Sequence, residues 1–444
     1  MEKNGLEEEL NKINKEPYKG VRDFYPEDMF VQNYIFDVMR KIVESFGYTE
    51  YSASILEPTS LYKAKSGQEI VNEQTYTFTD RGGREVTLRP EMTPTLARMV
   101  AKRKRDLVFP LRWYSIPNMF RYERPQKGRL REHWQLNVDI FGVKSIDADV
   151  EIISLAYILM KKFGAKDNDF EIRVNSRKIL NSIFRNFLNL DEEEVKNLMK
   201  LIDRKEKIGK DDFEAELSII LGEKSDAFIK ILKIKNILDF SSVLPKELVE
   251  SEGVKDIQIL INKLRDMGIK NVIFSPGLVR GFDYYTSTVF EIYDTNPNNN
   301  RAMFGGGRYD DLLDIFGEDK IPAIGFGMGD VTIRDFLETH KLLPNHKAKV
   351  CLYICTLTDE YISHANKIAI KLRENDLNVE VDLTSKKVSD QLSLANKKGI
   401  PFVVCVGENE VKTGKYKIKN MDTGEEKEIK FDQISNFISS IKTL

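Results

Sequence analysis

Between His133 and Ile140 the chain alternates polar and apolar side chains without interruption. Successive side chains of a strand point to opposite faces, so this segment predicts a strand with one polar face and one apolar face. The polar face carries His133, Gln135, Asn137 and Asp139, and the apolar face carries Trp134, Leu136, Val138 and Ile140. The apolar face requires a core behind it, whereas the polar face is either exposed to solvent or forms the floor of a ligand site.

The residues before this strand, 119–131, predict a shorter strand followed by a loop. Arg121 and Glu123 share one face of that shorter strand because its side chains alternate. The wider segment 101–131 contains ten Lys or Arg residues, against only Asp106 and Glu123 as acids. Such a segment is either a solvated charged surface or a place where a polyanion binds.

Polar residues cluster at three other positions. In LRPEMTPTLARM, Glu91 and Thr93 stand at the start of a predicted helix, either as helix caps or as ligand-binding groups. In LVRGFDYYTSTVFE, Arg280 and Asp283 interrupt aromatic strand residues, either as an ion pair within the core or as part of a site. In GGGRYD, three successive glycines from Gly305 weaken a strand so much that they indicate close approach of the backbone to a ligand.

The chain has 444 residues, which predicts two or three domains. Apolar residues at helical spacing predict a long amphipathic helix over 28–46, and two alternating runs around Arg81–Gly83 predict a β-hairpin. Helical patches rich in Lys and Glu over 177–264 predict a helical insertion. This insertion interrupts the region from 18 to 340 that carries the polar clusters.

The two ends of the chain differ in composition and in predicted secondary structure. Residues 1–17 are charged and polar and are interpreted as a tail. A connector at 341–347 precedes residues 348–444, where short apolar strands alternate with helical patterns. This alternation predicts a small α/β domain on a mainly parallel sheet.

Composition excludes several classes of protein. Three cysteines and four scattered histidines provide neither a disulfide framework nor a zinc site, and we expect no metal held by the protein alone. Cys351, Cys355 and Cys405 lie in apolar runs and are interpreted as buried structural thiols. No apolar run approaches the roughly 20 residues of a membrane-spanning helix, and no apolar signal core begins the chain. The sequence therefore indicates a cytoplasmic protein without membrane association.

Taken together and in this order, the polar clusters resemble class II aminoacyl-tRNA synthetases of the histidyl branch. The similarity covers nearly the whole chain, through KGVRDFYPED, TFTDRGGREVTLRPEMTPTLARM, FRYERPQKGRLREHWQ, LVRGFDYYTSTVFE and GGGRYDDL. FRYE matches the second signature motif of class II, and the last two segments resemble motifs of the histidyl branch. The resemblance implies an α+β fold, with an antiparallel catalytic sheet of six to seven strands, flanking helices, a helical insertion and a C-terminal α/β anticodon-binding domain. It also implies a homodimer formed through the helix over 28–46 and the strand leading to Pro58.

The resemblance further implies a reaction in two steps. L-Histidine and ATP, which is bound with Mg²⁺, give histidyl-adenylate and pyrophosphate, and the terminal adenosine of tRNA(His) then attacks the activated carbonyl. Arg121 and Arg280 are the expected catalytic residues, because preorganised guanidinium groups stabilise the charge that develops on the α-phosphate. Together with them, Glu123 and Arg129 are the expected ATP-binding residues.

The remaining expected roles concern the amino acid and the tRNA. For the α-amino group, the expected acceptors are Glu91, Thr93 and Gln135. For the two ring nitrogens of the imidazole, the expected partners are Asp139 and either Tyr284 or Tyr285. A site that pairs both nitrogens rejects amino acids that lack them, because its own polar groups would stay unpaired. For the acceptor end of tRNA(His), the expected contacts are Arg124, Gln126 and Lys127.

One position departs from the family pattern. The third class II motif usually ends with an arginine that grips the γ-phosphate, and Thr332 occupies the matching position in IGFGMGDVTI. Arg334 follows two residues later, which is about 200° around a helix, so it cannot simply take that place. This departure supports a rival hypothesis, that of a non-catalytic histidine-binding regulatory paralogue. Arg121, Glu123, Arg280 and the anticodon-type domain argue against it, and the two histidyl motifs argue against a threonyl or prolyl enzyme.

Overall fold

The computed structural model describes residues 14–64, 74–205, 208–280, 284–299, 301–346 and 348–442. Most of the predicted tail, from 1 to 13, lies outside the described residues, as does Asp283. The chain divides into two compact units between Pro344 and Asn345.

Most strands of the first unit belong to one large sheet. In chain order the strands of this unit are β1 (Thr49–Glu50), β2 (Leu56–Pro58), β3 (Tyr76–Thr79), β4 (Glu85–Leu88), β5 (Leu111–Ser115), β6 (Asn118–Phe120), β7 (Glu132–Phe141), β8 (Phe170–Ser176), β9 (Val272–Phe274), β10 (Thr288–Asp294), β11 (Ala302–Arg308) and β12 (Ala323–Gly329). The described part of the large sheet has the order β1-β5-β7-β12-β11-β10-β8-β9, and β6 also pairs with β7.

Six strands of the large sheet, from β5 to β8 in that order, pair in antiparallel fashion. The short outer strands β1 and β9 pair parallel to their neighbours. The expected antiparallel sheet of six to seven strands is therefore confirmed, and short parallel strands extend it at both edges. The predicted hairpin is also confirmed, since β3 and β4 pair from Thr79 opposite Glu85 and enclose Arg81–Gly83.

Helices cover the sheet and fill the segment between β8 and β9. In chain order they are α1 (Pro26–Ser45), α2 (Thr59–Lys63), α3 (Thr93–Arg103), α4 (Asp147–Lys162), α5 (Arg177–Ser182), α6 (Glu192–Arg204), α7 (Lys210–Leu221), α8 (Ser225–Leu232), α9 (Lys246–Val249), α10 (Glu252–Asp266) and α11 (Asp330–Thr339). None of the helices in the described ranges is both long enough and apolar enough to cross a bilayer.

The apolar face of β7 forms the centre of the main core. Leu136, Val138 and Ile140 are buried there against apolar side chains of α1 and α4. Side chains from the helical segment, such as Leu198 and Phe240, join the same core. The segment from α5 to α10 therefore packs as part of the first unit, because its apolar faces share one core with the sheet.

The second unit has its own sheet and its own core. Its elements are β13 (Leu352–Thr356), α12 (Ile362–Arg373), β14 (Val379–Val381), α13 (Val388–Lys397), β15 (Phe402–Val406), α14 (Glu408–Thr413), β16 (Lys415–Asn420), β17 (Glu426–Lys430) and α15 (Phe431–Lys442). The order is β14-β13-β15-β16-β17, with parallel pairing among the first three strands and antiparallel pairing after them. The predicted α/β architecture is confirmed.

The interpretation of the cysteines needs one correction. Cys351 and Cys355 are buried, as expected, but Cys405 is partly exposed. Its strand position explains the difference, because Cys405 lies near the end of β15 at the margin of a small apolar cluster.

Candidate active site

Four glycines on two paired strands form a flat surface in the middle of the large sheet, here called the glycine floor. Opposite residues in β11 and β12 are glycine at two successive places on the same face. The glycine floor consists of Gly305 opposite Gly327 and Gly307 opposite Gly325. No side chain rises from these four positions, so this part of the sheet is open to side chains from elsewhere.

Four of the predicted site residues lie directly on the glycine floor. A β-carbon added to the floor would come within 2.1 Å of Nη1 of Arg280 and of Oδ1 of Asp139. It would also lie 2.0 Å from Nε2 of Gln135 and 2.8 Å from Cδ1 of Tyr285. Real β-carbons never approach other atoms this closely, so only glycine permits the arrangement.

The glycine floor corrects the interpretation of GGGRYD. The three glycines were expected to let the backbone itself approach a ligand, but the space above Gly305 and Gly307 is filled by Arg280 and Tyr285. The physical reason is that side chains of β7 and side chains that precede β10 converge on this face. The glycines of β11 therefore make room for side chains from other segments, and they do so together with two glycines of β12.

Asp139 is a buried acid beside the glycine floor. Its carboxylate is buried and accepts a hydrogen bond of 2.5 Å from Oη of Tyr309. Burial raises the pKa of Asp139 to about 7, although the hydrogen bond from Tyr309 acts in the opposite direction. Sequence reasoning missed Tyr309 as a site residue, and its place in GGGRYD was the available signal.

Tyr284 takes a different place from the one expected for an imidazole partner. Its hydroxyl donates a hydrogen bond of 3.2 Å to Oε2 of the buried Glu91. Thr93 also hydrogen-bonds to Tyr284. The alternative that Glu91 and Thr93 cap a helix fails, because α3 starts at Thr93 and no side chain caps its first turn.

The second-motif residues form a cluster of their own beside Glu91. Glu123 lies 3.9 Å from Nη1 of Arg121 and 3.5 Å from Nη1 of Arg129. Nε of Arg121 donates to the carbonyl oxygen of Pro90 at 2.9 Å, which places this cluster next to Glu91. The three expected ATP-binding residues of this motif are therefore close to one another.

Arg280 contacts Tyr285, whereas Glu91, beside the second-motif cluster, contacts Tyr284. Its guanidinium carbon lies 5.8 Å from the ring centre of Tyr285, and that ring lies 4.9 Å from the ring of Tyr284. Nη1 of Arg280 is 3.5 Å from Glu291 and donates to the carbonyl oxygen of Phe290 at 3.3 Å. Burial lowers the pKa of Arg280, but Tyr285 and Glu291 raise it above its ordinary value.

Arg280 also corrects the strand expected over LVRGFDYYTSTVFE. The strand begins only at Thr288, and Arg280 lies in irregular backbone before it. The Arg280 side chain lies against Gly305 of the glycine floor and pairs with Glu291. Sequence reasoning missed Glu291, although a charged residue within the apolar run of β10 was a signal for it.

The loop between β6 and β7 carries the residues expected to contact tRNA. Arg124, Gln126 and Lys127 are exposed there. The carbonyl oxygen of Lys127 accepts a hydrogen bond of 2.9 Å from Nη1 of Arg301. Gln126 and Lys127 line a cleft of about 360 Å³ that also includes Arg22. Two of the three expected tRNA contacts, Gln126 and Lys127, are thus brought together in this cleft, whereas Arg124 does not line it.

The residues of the third motif are held by groups outside the glycine floor. Oγ1 of Thr332 donates to the carbonyl oxygen of Met303 at 2.8 Å. Arg334 forms ion pairs with Asp28 at 2.8 Å and with Glu338 at 3.1 Å. Arg334 is thus an ion-pair residue of α11.

Comparison with known proteins identifies the family of this chain. A family model described as histidyl-tRNA synthetase matches residues 20–331, and one described as an anticodon binding domain matches residues 350–441. The chain belongs to the histidyl-tRNA synthetase family. The histidine–tRNA ligase of Leptospira biflexa serovar Patoc is 44% identical over 412 residues, covering 92% of this chain and 94% of the relative.

More distant members of the histidyl-tRNA synthetase family agree over similar lengths. The histidine–tRNA ligase of Thermoplasma volcanium is 38% identical over 425 residues, covering 95% of this chain and 98% of the relative. The crystal structure of histidyl-tRNA synthetase from Nostoc sp. PCC 7120 superposes with a TM-score of 0.82 at 25% identity. It covers 97% of this chain and 100% of the Nostoc chain.

Membership of the histidyl-tRNA synthetase family establishes which reaction the chain catalyses. The chain is a class II ligase that activates histidine with ATP and joins it to tRNA. The rival hypothesis of a regulatory paralogue loses its support, because the similarity to ligases extends through the anticodon-binding domain. A threonyl or prolyl enzyme is excluded, since the matching family is the histidyl one.

Proposed function

We propose that the glycine floor is the histidine pocket, and that Asp139 selects the side chain of the substrate. The observation that carries this proposal is a buried carboxylate on an open sheet surface, supported by Tyr309. Asp139 accepts a hydrogen bond from one ring N–H of histidine, and Tyr285 is the partner of the other nitrogen. Tyr284 is assigned a supporting role, because its hydroxyl is bound to Glu91.

The α-amino group of histidine carries a positive charge and needs acceptors. Glu91 is a buried acid at the edge of the pocket, and Thr93 and Gln135 add polar groups beside it. The charge of Glu91 makes it the main partner of the ammonium group, because charge-assisted hydrogen bonds are the strongest. Gln135 lies on the glycine floor, where its Nε2 donates a hydrogen bond of 2.8 Å to Oδ1 of Asn137. This bond fixes the orientation of the Gln135 amide.

The carboxylate of histidine attacks the α-phosphate of ATP between two arginines. Arg280 approaches from the glycine floor and Arg121 from the second motif. Both are already fixed by hydrogen bonds to backbone carbonyl groups, so little reorganisation is needed as charge develops. Glu123 positions Arg121 and Arg129 and accepts from the adenine amino group, while Arg129 meets the outer phosphates.

Mg²⁺ accompanies ATP, and an acid of this site fits it. In phosphoryl-transfer sites Mg²⁺ is held mainly by phosphate oxygens and water, with one or two protein carboxylates. Glu291 lies beside Arg280 at the expected ATP site and would offer such a carboxylate. When bound with ATP, the ion would supply positive charge that neutralises the phosphates.

A first prediction tests whether the glycine floor holds Gln135 in place. Gly327→Ala puts a β-carbon 2.0 Å from Nε2 and 2.8 Å from Cδ of Gln135, and the three nearest atoms all belong to Gln135. Loss of this hydrogen-bonding group should raise the KM for histidine about tenfold, equivalent to roughly 1.4 kcal/mol, and leave the KM for ATP unchanged. The measurement is histidine-dependent pyrophosphate exchange.

Two variants control this prediction. Gly329→Ala adds the same methyl group on the same strand, where the nearest atom is 3.7 Å away, and should behave like the unmodified enzyme. The double variant of Gly327→Ala with Gln135→Ala should be no worse than Gln135→Ala alone. If the two losses add, Gly327 acts on something other than Gln135 and the pocket is misassigned.

Recognition of tRNA(His) is assigned to two regions. Arg124, Gln126 and Lys127 in the exposed loop contact the acceptor end, and the second unit reads the anticodon. The second unit also carries lysine pairs, of which Lys398 is bound to Glu380. Lys386 and Lys387 precede α13 and present positive charge to a polyanion.

A second prediction separates the two steps of the reaction. Deleting residues 348–444 should leave pyrophosphate exchange largely intact, because the site and its core lie in the first unit. The efficiency of tRNA(His) charging should fall by about tenfold or more, or roughly 1.4 kcal/mol of binding. The intact enzyme should lose tRNA affinity steeply as salt rises. Equal loss of exchange and charging would show that the second unit supports the first one structurally.

We also propose that the enzyme is a homodimer. The small sheet of β2, β4 and β3 has its polar face turned inward, with Glu57 and Thr87 buried. Its outer face is apolar, and Leu56 and Phe78 are 42% and 48% exposed. An exposed apolar sheet face favours contact with another protein surface. The expected interface consists of α1 and of the strand leading to Pro58, which is β2 of this sheet. The use of ATP and tRNA is consistent with a cytoplasmic enzyme.

A third prediction concerns this outer face. Replacing Leu56 and Phe78 together with glutamate should convert the dimer into a monomer, because like charges would meet across a two-fold interface. Sedimentation equilibrium measures the mass. The matched control is Ile219→Glu, which places a charge on an exposed apolar residue of the helical segment and should not change the mass. An unmodified enzyme that is already monomeric would refute the proposal.

A further inference from the structure

Two cysteines face each other in the sheet of the second unit. Cys355 on β13 is the direct partner of Cys405 on the neighbouring parallel strand β15. Paired residues of adjacent strands project to the same side, with strands about 4.8 Å apart. Disulfides form between residues whose Cα atoms are about 4.4–6.8 Å apart, so this pair is within reach. The two thiols already share a hydrogen bond.

The two thiols differ in access and in acidity. Cys405 is partly exposed, whereas Cys355 is fully buried. The hydrogen bond donated by Cys355 lowers the pKa of Cys405 and raises that of Cys355. A thiol that is accessible and more acidic is the one that reacts first with an oxidant, and a neighbouring thiol then resolves the product.

We infer that Cys355 and Cys405 form an oxidation site that a hydroperoxide converts into a disulfide between β13 and β15. In the first step the Cys405 thiolate attacks one peroxide oxygen, the O–O bond breaks, and the leaving hydroxide is protonated to water. Cys405 is then a sulfenic acid. In the second step the Cys355 sulfur attacks the Cys405 sulfur, the S–O bond breaks, and the hydroxide leaves as water with the Cys355 proton. Two thiols and one hydrogen peroxide give one disulfide and two waters.

The remaining cysteine cannot take part in this bond. Cys351 precedes β13, four residues before Cys355, which is roughly 13 Å along a strand. Its Sγ donates to the carbonyl oxygen of Asn378 at 3.2 Å. The chain therefore contains its own internal control. The reacting pair stands next to the ends of both strands, where the amide of Leu357 donates to the carbonyl oxygen of Val406.

The experiment uses the full-length protein and hydrogen peroxide as the probe. After treatment the protein is unfolded without reductant, its free thiols are alkylated, and its intact mass is measured. We expect a single alkylated thiol at Cys351, together with a mass lower by two hydrogen atoms before alkylation. Dithiothreitol should restore all three alkylation sites. Peptide mapping should locate the bond between Cys355 and Cys405.

Three serine variants distinguish the steps. Cys351→Ser should still form the disulfide, and Cys405→Ser should form none. Cys355→Ser should stop at the sulfenic acid on Cys405, which a dimedone probe captures. Three alkylated thiols in the treated unmodified protein would overturn the inference, and so would a disulfide that includes Cys351. Since the unmodified protein alone decides the main question, a variant that fails to fold leaves the test valid.

Discussion

Arg280→Ala should lower histidine-dependent pyrophosphate exchange by roughly 10²–10³, the usual effect of removing one preorganised donor to a transition state. Arg280 lies on the glycine floor, where its guanidinium group is 15% exposed and pairs with Glu291. The expected loss is in kcat, with little change in the KM for histidine or ATP, because the charge on the α-phosphate develops only during the reaction. Exchange measured over a range of both substrates separates kcat from KM.

Arg334→Ala is the matched control for this prediction. Arg334 is also a partly buried arginine held by carboxylates, but its partners are Asp28 and Glu338 outside the floor. Its removal should cost less than about tenfold in exchange, since exposed or half-exposed ion pairs contribute roughly 0–1 kcal/mol. Collapse of exchange in the Arg334 variant, with Arg280→Ala nearly silent, would show that the third motif is misaligned. In that case Arg334 would replace the missing arginine at the position of Thr332.

Several elements of the fold could be predicted from local patterns in the sequence. The alternation of β7, the hairpin around Arg81–Gly83 and the strand-helix order of the second unit were all predicted. Each of them depends on a pattern within about ten residues, because the periods of strands and helices are local properties of the backbone. The resemblance added the order of the motifs and, through it, the reaction.

The partners of the site residues were harder to predict. Tyr309 binds Asp139 across 170 residues of chain, and only the pairing of β7, β12 and β11 brings the two together. Arg280 was assigned to a strand because its neighbours are aromatic, yet tertiary contacts with Glu291 hold it in irregular backbone. Such pairs depend on which strands are neighbours, and no local pattern contains that information.

The position of Asp139 leads to the last prediction, which links histidine recognition to stability. Asp139→Asn should weaken histidine-dependent exchange by at least about tenfold, because a charged acceptor for a buried donor is worth roughly 1.5–3 kcal/mol. Asparagine keeps the shape and can still accept from Tyr309. The KM for ATP should barely change. Unchanged use of histidine would place the imidazole partner elsewhere.

The same substitution should make the protein more stable at high pH. The pKa of Asp139 is about 7 in the folded protein, against 3.8 as its ordinary value. The folded state therefore binds this proton more tightly than the unfolded chain does, and the free energy of unfolding falls as pH rises from about 4 to 7. At about 1.4 kcal/mol for each pKa unit, the shift from 3.8 to about 7 corresponds to a cost above pH 7 of roughly 4.5 kcal/mol as an upper limit.

Asparagine removes that cost because it carries no charge to bury. The melting temperature of Asp139→Asn should exceed that of the unmodified enzyme at pH 8.5, and the two should nearly coincide at pH 5, where Asp139 is protonated. Asp149→Asn is the opposite control, since it removes the buried carboxylate of the Arg308 ion pair, leaves Arg308 with the more distant Asp310 at 3.5 Å, and should destabilise the protein at both pH values. If Asp139→Asn lowers the melting temperature at pH 8.5, the carboxylate is compensated in the folded enzyme. A gain in stability together with a loss of histidine use would instead show that the enzyme keeps a costly buried acid because the imidazole of its substrate requires one.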